Sequence, residues 1–241
     1  VKIANTPAIS FLPFSAGTLI EAIEKTNAYL VKLPSEFKLD GKSFYTILNQ
    51  RNLSGFVGEI LKHAIAALDA RFCANPHPDG RPDLLNLTQE HVKAHFLAEC
   101  FEAVTKAPLR TKLAPFQHGG VEIKCTIGKL NNASEKPIGD PRVSEVTGLT
   151  YWAHHAHDCD LLGIYYDFCG ECDGSPQIKA AFFTNITQAD WHKVSVGDPN
   201  KKKTSNTSLR GSGIAKVYSS LVVYDDSGVY MKLMDRLGIA R

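Results

Sequence analysis

The chain of 241 residues contains no apolar run long enough to span a bilayer as a helix. Val1 to Thr18 lacks the basic-then-apolar order of a secretory leader, and Ile9 to Phe14 is short and broken by Ser10 and Pro13. These absences predict a cytoplasmic protein with no membrane partner. There is no Gly-x-Ser-x-Gly, which argues against an α/β-hydrolase nucleophile elbow. Neither Gly-x-x-x-x-Gly-Lys-Ser/Thr nor Gly-x-Gly-x-x-Gly occurs, so no nucleotide cofactor is expected. Gly211-Ser212-Gly213 is an isolated Gly-x-Gly, read as a sharp turn or close backbone approach before a strand from Ile214. Internal repeats and low-complexity tracts are also missing.

Six cysteines occur, but their spacing is not that of a small disulfide scaffold, and a chain of this length does not need one. Cys73, Cys100 and Cys125 sit in apolar surroundings and read as small buried hydrophobes. A reducing compartment is the expectation. Hydrophobic residues make up 44% and charged residues 22%, ordinary proportions for a globular protein.

The net charge is only +2, yet acid is missing locally. Pro199 to Tyr224 has no Asp or Glu against Lys201, Lys202, Lys203, Arg210 and Lys216. Between Lys106 and Lys129 the single acid is Glu122. Two locally basic stretches in a near-neutral chain suit contact with an anionic surface at defined places.

Apolar periodicity predicts amphipathic helices over about Thr18 to Val31 and Ser43 to Asp69, with Gly55 and Gly58 weakening the second. The segment Ala74 to Pro82 is dense in turn residues, and the short apolar run Leu84 to Leu87 follows it. Thr88 then reads as the cap of a helix reaching Val104. Lys129 to Gly148 is expected as loop. Leu161 to Phe168, Ile178 to Phe183 and Ile214 to Tyr224 read as strands. The order predicts an α/β (α+β) fold, a central mixed sheet flanked by helices.

In Val121-Glu122-Ile123-Lys124-Cys125-Thr126-Ile127 apolar residues alternate with others, the period of a strand. Glu122 and Lys124 therefore share one face, roughly 7 Å apart along the strand. Upstream, Pro82 holds the preceding residue extended, so Asp83 stands at the mouth of a short strand. Two carboxylates on adjacent strands, with waters, make a workable Mg²⁺ site. A lysine alongside can orient the attacking water or stabilise charge on a phosphate.

Pro82-Asp83 and Glu122-Ile123-Lys124 resemble the PD-(D/E)xK nuclease superfamily, and type II restriction endonucleases most of all. The resemblance covers about residues 50 to 185, within a single domain spanning 1–241. It implies a helical N-terminal part to about 70 and a DNA-contacting, strand-containing part from about 186. Glu59, after Gly58, resembles the helix glutamate that supports the metal site in such enzymes. The resemblance implies Mg²⁺-dependent hydrolysis of double-stranded DNA at a specific site, by Asp83, Glu122, Lys124 and Glu59. It also implies a homodimer, since a palindromic site mirrors a two-fold axis. The interval from Asp83 to Glu122 is long for the superfamily, and Asp79 is the nearest substitute for Asp83.

Candidate DNA contacts are Lys129, Asn131, Asn132, Lys136 and Arg142 in one group, and Lys201, Lys202, Lys203, Asn206 and Arg210 in another. His154 and His155 are read as facing the DNA cleft or capping a strand. Cys169-Gly170-Glu171-Cys172 near these histidines is also the raw material of a zinc site. The alternatives are thus a non-enzymatic DNA-binding module holding zinc, or a DNA-repair nuclease on the same fold.

Overall fold

A computed structural model describes residues 1–39, 42–131, 136–150, 152, 158–193 and 207–241. Its main sheet contains β1 (Lys2–Ile3), β2 (Phe72–Ala74), β3 (Leu84–Asn86), β4 (Gly120–Thr126), β5 (Cys159–Cys169), β6 (Ser175–Ile186) and β7 (Leu221–Tyr224). In space these run β1-β7-β6-β5-β4-β3-β2. The β4·β5 pair is parallel and the other pairs are antiparallel, so the sheet is mixed. Helices flank it, making an α/β architecture.

The long hairpin β5–β6 forms the middle of the sheet. Every residue from Leu161 to Phe168 is buried, because both faces of β5 are covered. On one face Leu162, Ile164, Tyr166 and Phe168 pack with Leu19, Ile23, Leu53, Val57 and Leu61 from two helices, α1 (Ala16–Glu36) and α2 (Gln50–Leu68). On the other, Leu161 and Tyr165 meet Trp152, Leu149 and the C-terminal residues Val217, Leu233 and Met234. A third cluster sits on β3: Leu85 packs with Val92 and Phe96 of α3 (Glu90–Glu99) and with Leu113 and Phe116.

Capping chemistry sets the helix limits. Ser15 accepts from the Thr18 amide at 2.9 Å and starts α1. The expected single helix from Ser43 to Asp69 is divided instead. A short turn of helix at Phe44–Ile47 ends, and Asn49 restarts the chain by accepting from the Asn52 amide at 2.9 Å. The break therefore lies at a cap, not at Gly55 or Gly58. The helix expected from Thr88 to Val104 is shorter at both ends. Thr88 is occupied by Asn86, whose side-chain oxygen receives the Thr88 amide at 3.0 Å. Beyond Glu99 the Glu102 carboxylate binds the Val104 amide at 3.0 Å and that of Thr105, closing a turn in place of helix.

The strand expected over Ile214 to Tyr224 is a correction. Gly211–Tyr218 is helix α4, Leu221–Tyr224 alone is strand, and helix α5 (Gly228–Arg236) follows. Gly213 and Val217, four apart, are the buried residues of α4, a helical period inside a valine- and tyrosine-rich run. Among the described residues between Lys129 and Gly148, 136–145 are irregular, but Lys129–Leu130 pairs with Val146–Gly148.

Candidate active site

Glu122 and Lys124 do share a face of β4. Ile123 between them packs into the α1/α2 cluster, so alternation sends its two neighbours to the other side. The Lys124 Nζ lies 2.6 Å from Glu122 Oε1, with the Glu122 side chain 2% exposed and that of Lys124 22%. Register brings in Asp83. Leu84 pairs with Val121 and Leu85 with Gly120, so one step further along the antiparallel pair Asp83 stands opposite Glu122. Gly120 makes this pairing possible. Its φ is +152°, and a Cβ there would lie 2.2 Å from the Leu84 carbonyl oxygen.

Beyond this point β3 and β4 separate, leaving the Ile123 amide without a strand partner on that side. Asp83 Oδ2 accepts from it at 2.8 Å. The turn before Asp83 is anchored by Asn75, a residue sequence reading passed over. Its side-chain amide donates to the carbonyls of Pro82 and Leu113, both at 3.0 Å, and its backbone amide donates to the Asp83 carbonyl at 2.9 Å. The one available signal was its place before Pro76 in a turn-rich segment.

The electrostatics follow from this packing. Burial first, and the nearby Glu122 charge second, push the Asp83 carboxyl up to about 6; Lys124, the Ile123 amide and Lys62 pull the other way. For Lys124 burial pulls the ammonium down, but Glu122 and Asp83 more than offset it and hold it above its ordinary value. Two carboxylates forced together are a charge problem that a hard divalent cation would relieve, and oxygen donors suit Mg²⁺. Among the described residues no group of three or more His, Cys, Asp or Glu is set to hold a metal. A two-carboxylate site is nonetheless compatible with Mg²⁺, which retains waters and commonly takes one or two protein carboxylates plus substrate phosphate.

A cleft of about 290 Å³ is lined by Asp83 and Lys124 but not by the buried Glu122 behind them; its other charged walls are Arg51, Glu59 and Lys62. Helix α2 can lie close to β4 because residue 58 is glycine; a Cβ there would be 3.3 Å from Cys125 Sγ. About three turns of α2, from Arg51 to Lys62, thus border the cleft. Glu59 binds Lys62, with Nζ 2.8 Å from Oε1 and 2.7 Å from Oε2, and no hydrogen bond joins it to Asp83 among the described contacts. Arg51 and Lys62 were not singled out from sequence, since on a helix they read as ordinary charged positions.

The other expected residues separate. Asp79 is on the surface, 3.6 Å from Arg110, and does not line the cleft. Lys129, Asn131 and Arg210 are exposed. Lys136 pairs with Glu145 at 2.8 Å and donates to the Pro141 carbonyl. Arg142 is the clear correction: it is buried, 2% exposed, with its guanidinium 5.5 Å from the Phe168 ring centre. It donates to the carbonyls of Lys136 and Pro137, so it folds its own loop inward and cannot reach a base edge. Asn132, His154, His155, Lys201, Lys202, Lys203 and Asn206 lie outside the described residues. Cys169 and Cys172 are joined as a disulfide at the β5–β6 turn, a form in which neither is a thiolate ligand for zinc. No helix of the described residues is long and apolar enough to cross a membrane. Compared with family models, curated proteins and solved structures, the chain matches none.

Proposed function

We propose that this chain is a Mg²⁺-dependent, site-specific endonuclease of the PD-(D/E)xK type that hydrolyses phosphodiester bonds of double-stranded DNA, acting as a homodimer. The observation that carries this reading is the meeting of three groups: the Asp83 carboxylate, bonded to the Ile123 amide at 2.8 Å and close enough to feel the Glu122 charge, and the Lys124 ammonium 2.6 Å from the glutamate. Asp83 and Glu122 would hold the ion, which when bound would supply Lewis-acid charge beside the phosphate.

The chain's own groups account for the rest. The Ile123 amide fixes the Asp83 carboxylate in one orientation. Lys124, kept protonated by the two carboxylates, donates toward the charge that develops on the phosphate as water attacks. The water oxygen bonds to phosphorus and gives up one proton to solvent, one P–O ester bond breaks, and the departing alkoxide takes up a proton from solvent, so that the step is balanced. No covalent enzyme intermediate and no ATP are involved. Exposed Lys129, Asn131 and Arg210 are the described residues offered for DNA contact.

The test is incubation of the purified protein with plasmid DNA, with and without Mg²⁺, followed by mapping of the ends. Discrete fragments that require Mg²⁺ support the reading. Cutting confined to forks or mismatches would move it to a repair nuclease. Intact plasmid under all conditions would overturn it.

A further inference from the structure

The cleft holds an ion pair that the reaction does not use. Glu59 and Lys62 are three apart on α2, and both glutamate oxygens face the Lys62 Nζ at 2.8 and 2.7 Å. The two partners differ sharply in exposure: the Lys62 side chain is 9% exposed and that of Glu59 is 57%. Lys62 is thus fixed against the cleft floor beside Asp83, while Glu59 is a solvent-side arm laid over it. A carboxylate placed on a lysine in this way presents two anionic oxygens where the non-bridging oxygens of a phosphate would go.

We propose that Lys62 is a second phosphate-binding ammonium of the cleft, and that Glu59 is its internal stand-in, displaced when a DNA phosphate enters. This deepens the nuclease reading and rests on it, and it gives Glu59 a different task from supporting the metal. Displacement moves only the solvent-side arm and breaks the charge-assisted bonds between Glu59 and Lys62. A charge-assisted bond from Lys62 to phosphate offsets that. With Glu59 swung out, the cleft walls carry Arg51, Lys62 and Lys124 against Asp83, an excess of positive charge suited to a phosphodiester. The cleft, about 290 Å³, is large enough to admit a phosphate group. His63, exposed, has its Nε2 4.0 Å from Glu59 Oε2.

The test reads binding of a fluorescent duplex of about 20 base pairs in EDTA, where no cutting occurs, across a salt series. The full chain is compared with Lys62→Met, Glu59→Gln and the double variant. Lys62→Met keeps the buried stem of the side chain and removes its charge. We expect it to weaken binding about three- to tenfold and to reduce the salt slope by about 1. Glu59→Gln should tighten binding about threefold, and that gain should vanish in the double variant. If Glu59→Gln weakens binding or leaves it unchanged, the pair is structural or metal-supporting and the proposal fails. An unchanged salt slope in Lys62→Met also ends it. Should Lys62→Met not fold, the sign of the Glu59→Gln effect decides alone, since that residue is on the surface. Plasmid left uncut in Mg²⁺ would remove the nuclease reading without altering these binding outcomes.

Discussion

Asp83 Oδ2 accepts a hydrogen bond from the Ile123 amide at 2.8 Å, so a side chain replaces a strand where β3 and β4 part. One carboxylate thereby closes a sheet edge and faces Glu122. Asn and Ala at position 83 separate these two tasks. Asp83→Asn keeps an acceptor for the amide and should abolish Mg²⁺-dependent cutting. It should also raise metal-free stability at pH 8 by about 1–2 kcal/mol, because it removes a like charge from beside Glu122. Asp83→Ala should lose cutting and also cost about 1–2 kcal/mol through the orphaned amide. Plasmid assays and thermal melts of both variants check this.

The raised Asp83 carboxyl fixes a direction for pH. Its ordinary value is 3.8 and in the folded protein it rises to about 6. Between these values the folded state keeps a proton that the unfolded chain has lost, so this group's contribution to stability falls as pH rises through the window. Bound Mg²⁺ must displace the same proton. Apparent Mg²⁺ affinity, followed as the ion's effect on melting temperature, should therefore climb about fivefold from pH 5 to pH 6, about tenfold by pH 7, and level off above that. A flat profile would separate Asp83 from the metal.

Lys124 and Glu122 should behave as a unit. Lys124→Met leaves a carboxylate that is 2% exposed beside an apolar side chain, with an expected loss of about 2–4 kcal/mol. Glu122→Gln combined with Lys124→Met should recover much of that loss, and denaturant titration of the two single variants and the double variant measures the coupling. Cutting should drop by ~10²-fold or more in Lys124→Met. Glu122→Ala should abolish it while DNA binding stays detectable.

Arg142→Ala should destabilise the fold by about 2–3 kcal/mol, the value of hydrogen bonds from a charged group, and leave DNA affinity unchanged once folded protein is selected. The side chain holds the carbonyls of Lys136 and Pro137 and stacks on Phe168. A tenfold loss of affinity with an unaltered melt would return it to the DNA surface.

Arg142 also shows where sequence reading stops. An arginine in a polar, Gly- and Pro-containing stretch looks solvent-exposed, and nothing local says that Phe168, in a strand twenty-six residues on, offers its ring. The misread strand at Ile214 has a related cause. Valine and tyrosine favour strands, but burial of Val217 in the cluster on the sheet and of Gly213 against Asp190 and Leu209 selected a helix, and packing outweighs propensities of a few tenths of a kcal/mol. The β5 and β6 strands were legible because an apolar run of that length, too short to span a bilayer as a helix, has to be covered on both faces. Their true ends, and β2, depend on cross-strand partners.

By itself the sequence determined that Glu122 and Lys124 share a face, because a strand alternates whatever it packs against. It also determined that residue 83 follows a turn, because proline and its neighbours restrict the chain locally. That Asp83 stands opposite Glu122, that Glu59 holds Lys62 at the cleft, and that Arg142 points inward were decided only by the tertiary structure. Register between segments forty residues apart, and the close approach of α2 to β4, come from long-range packing and leave no local signature in the chain.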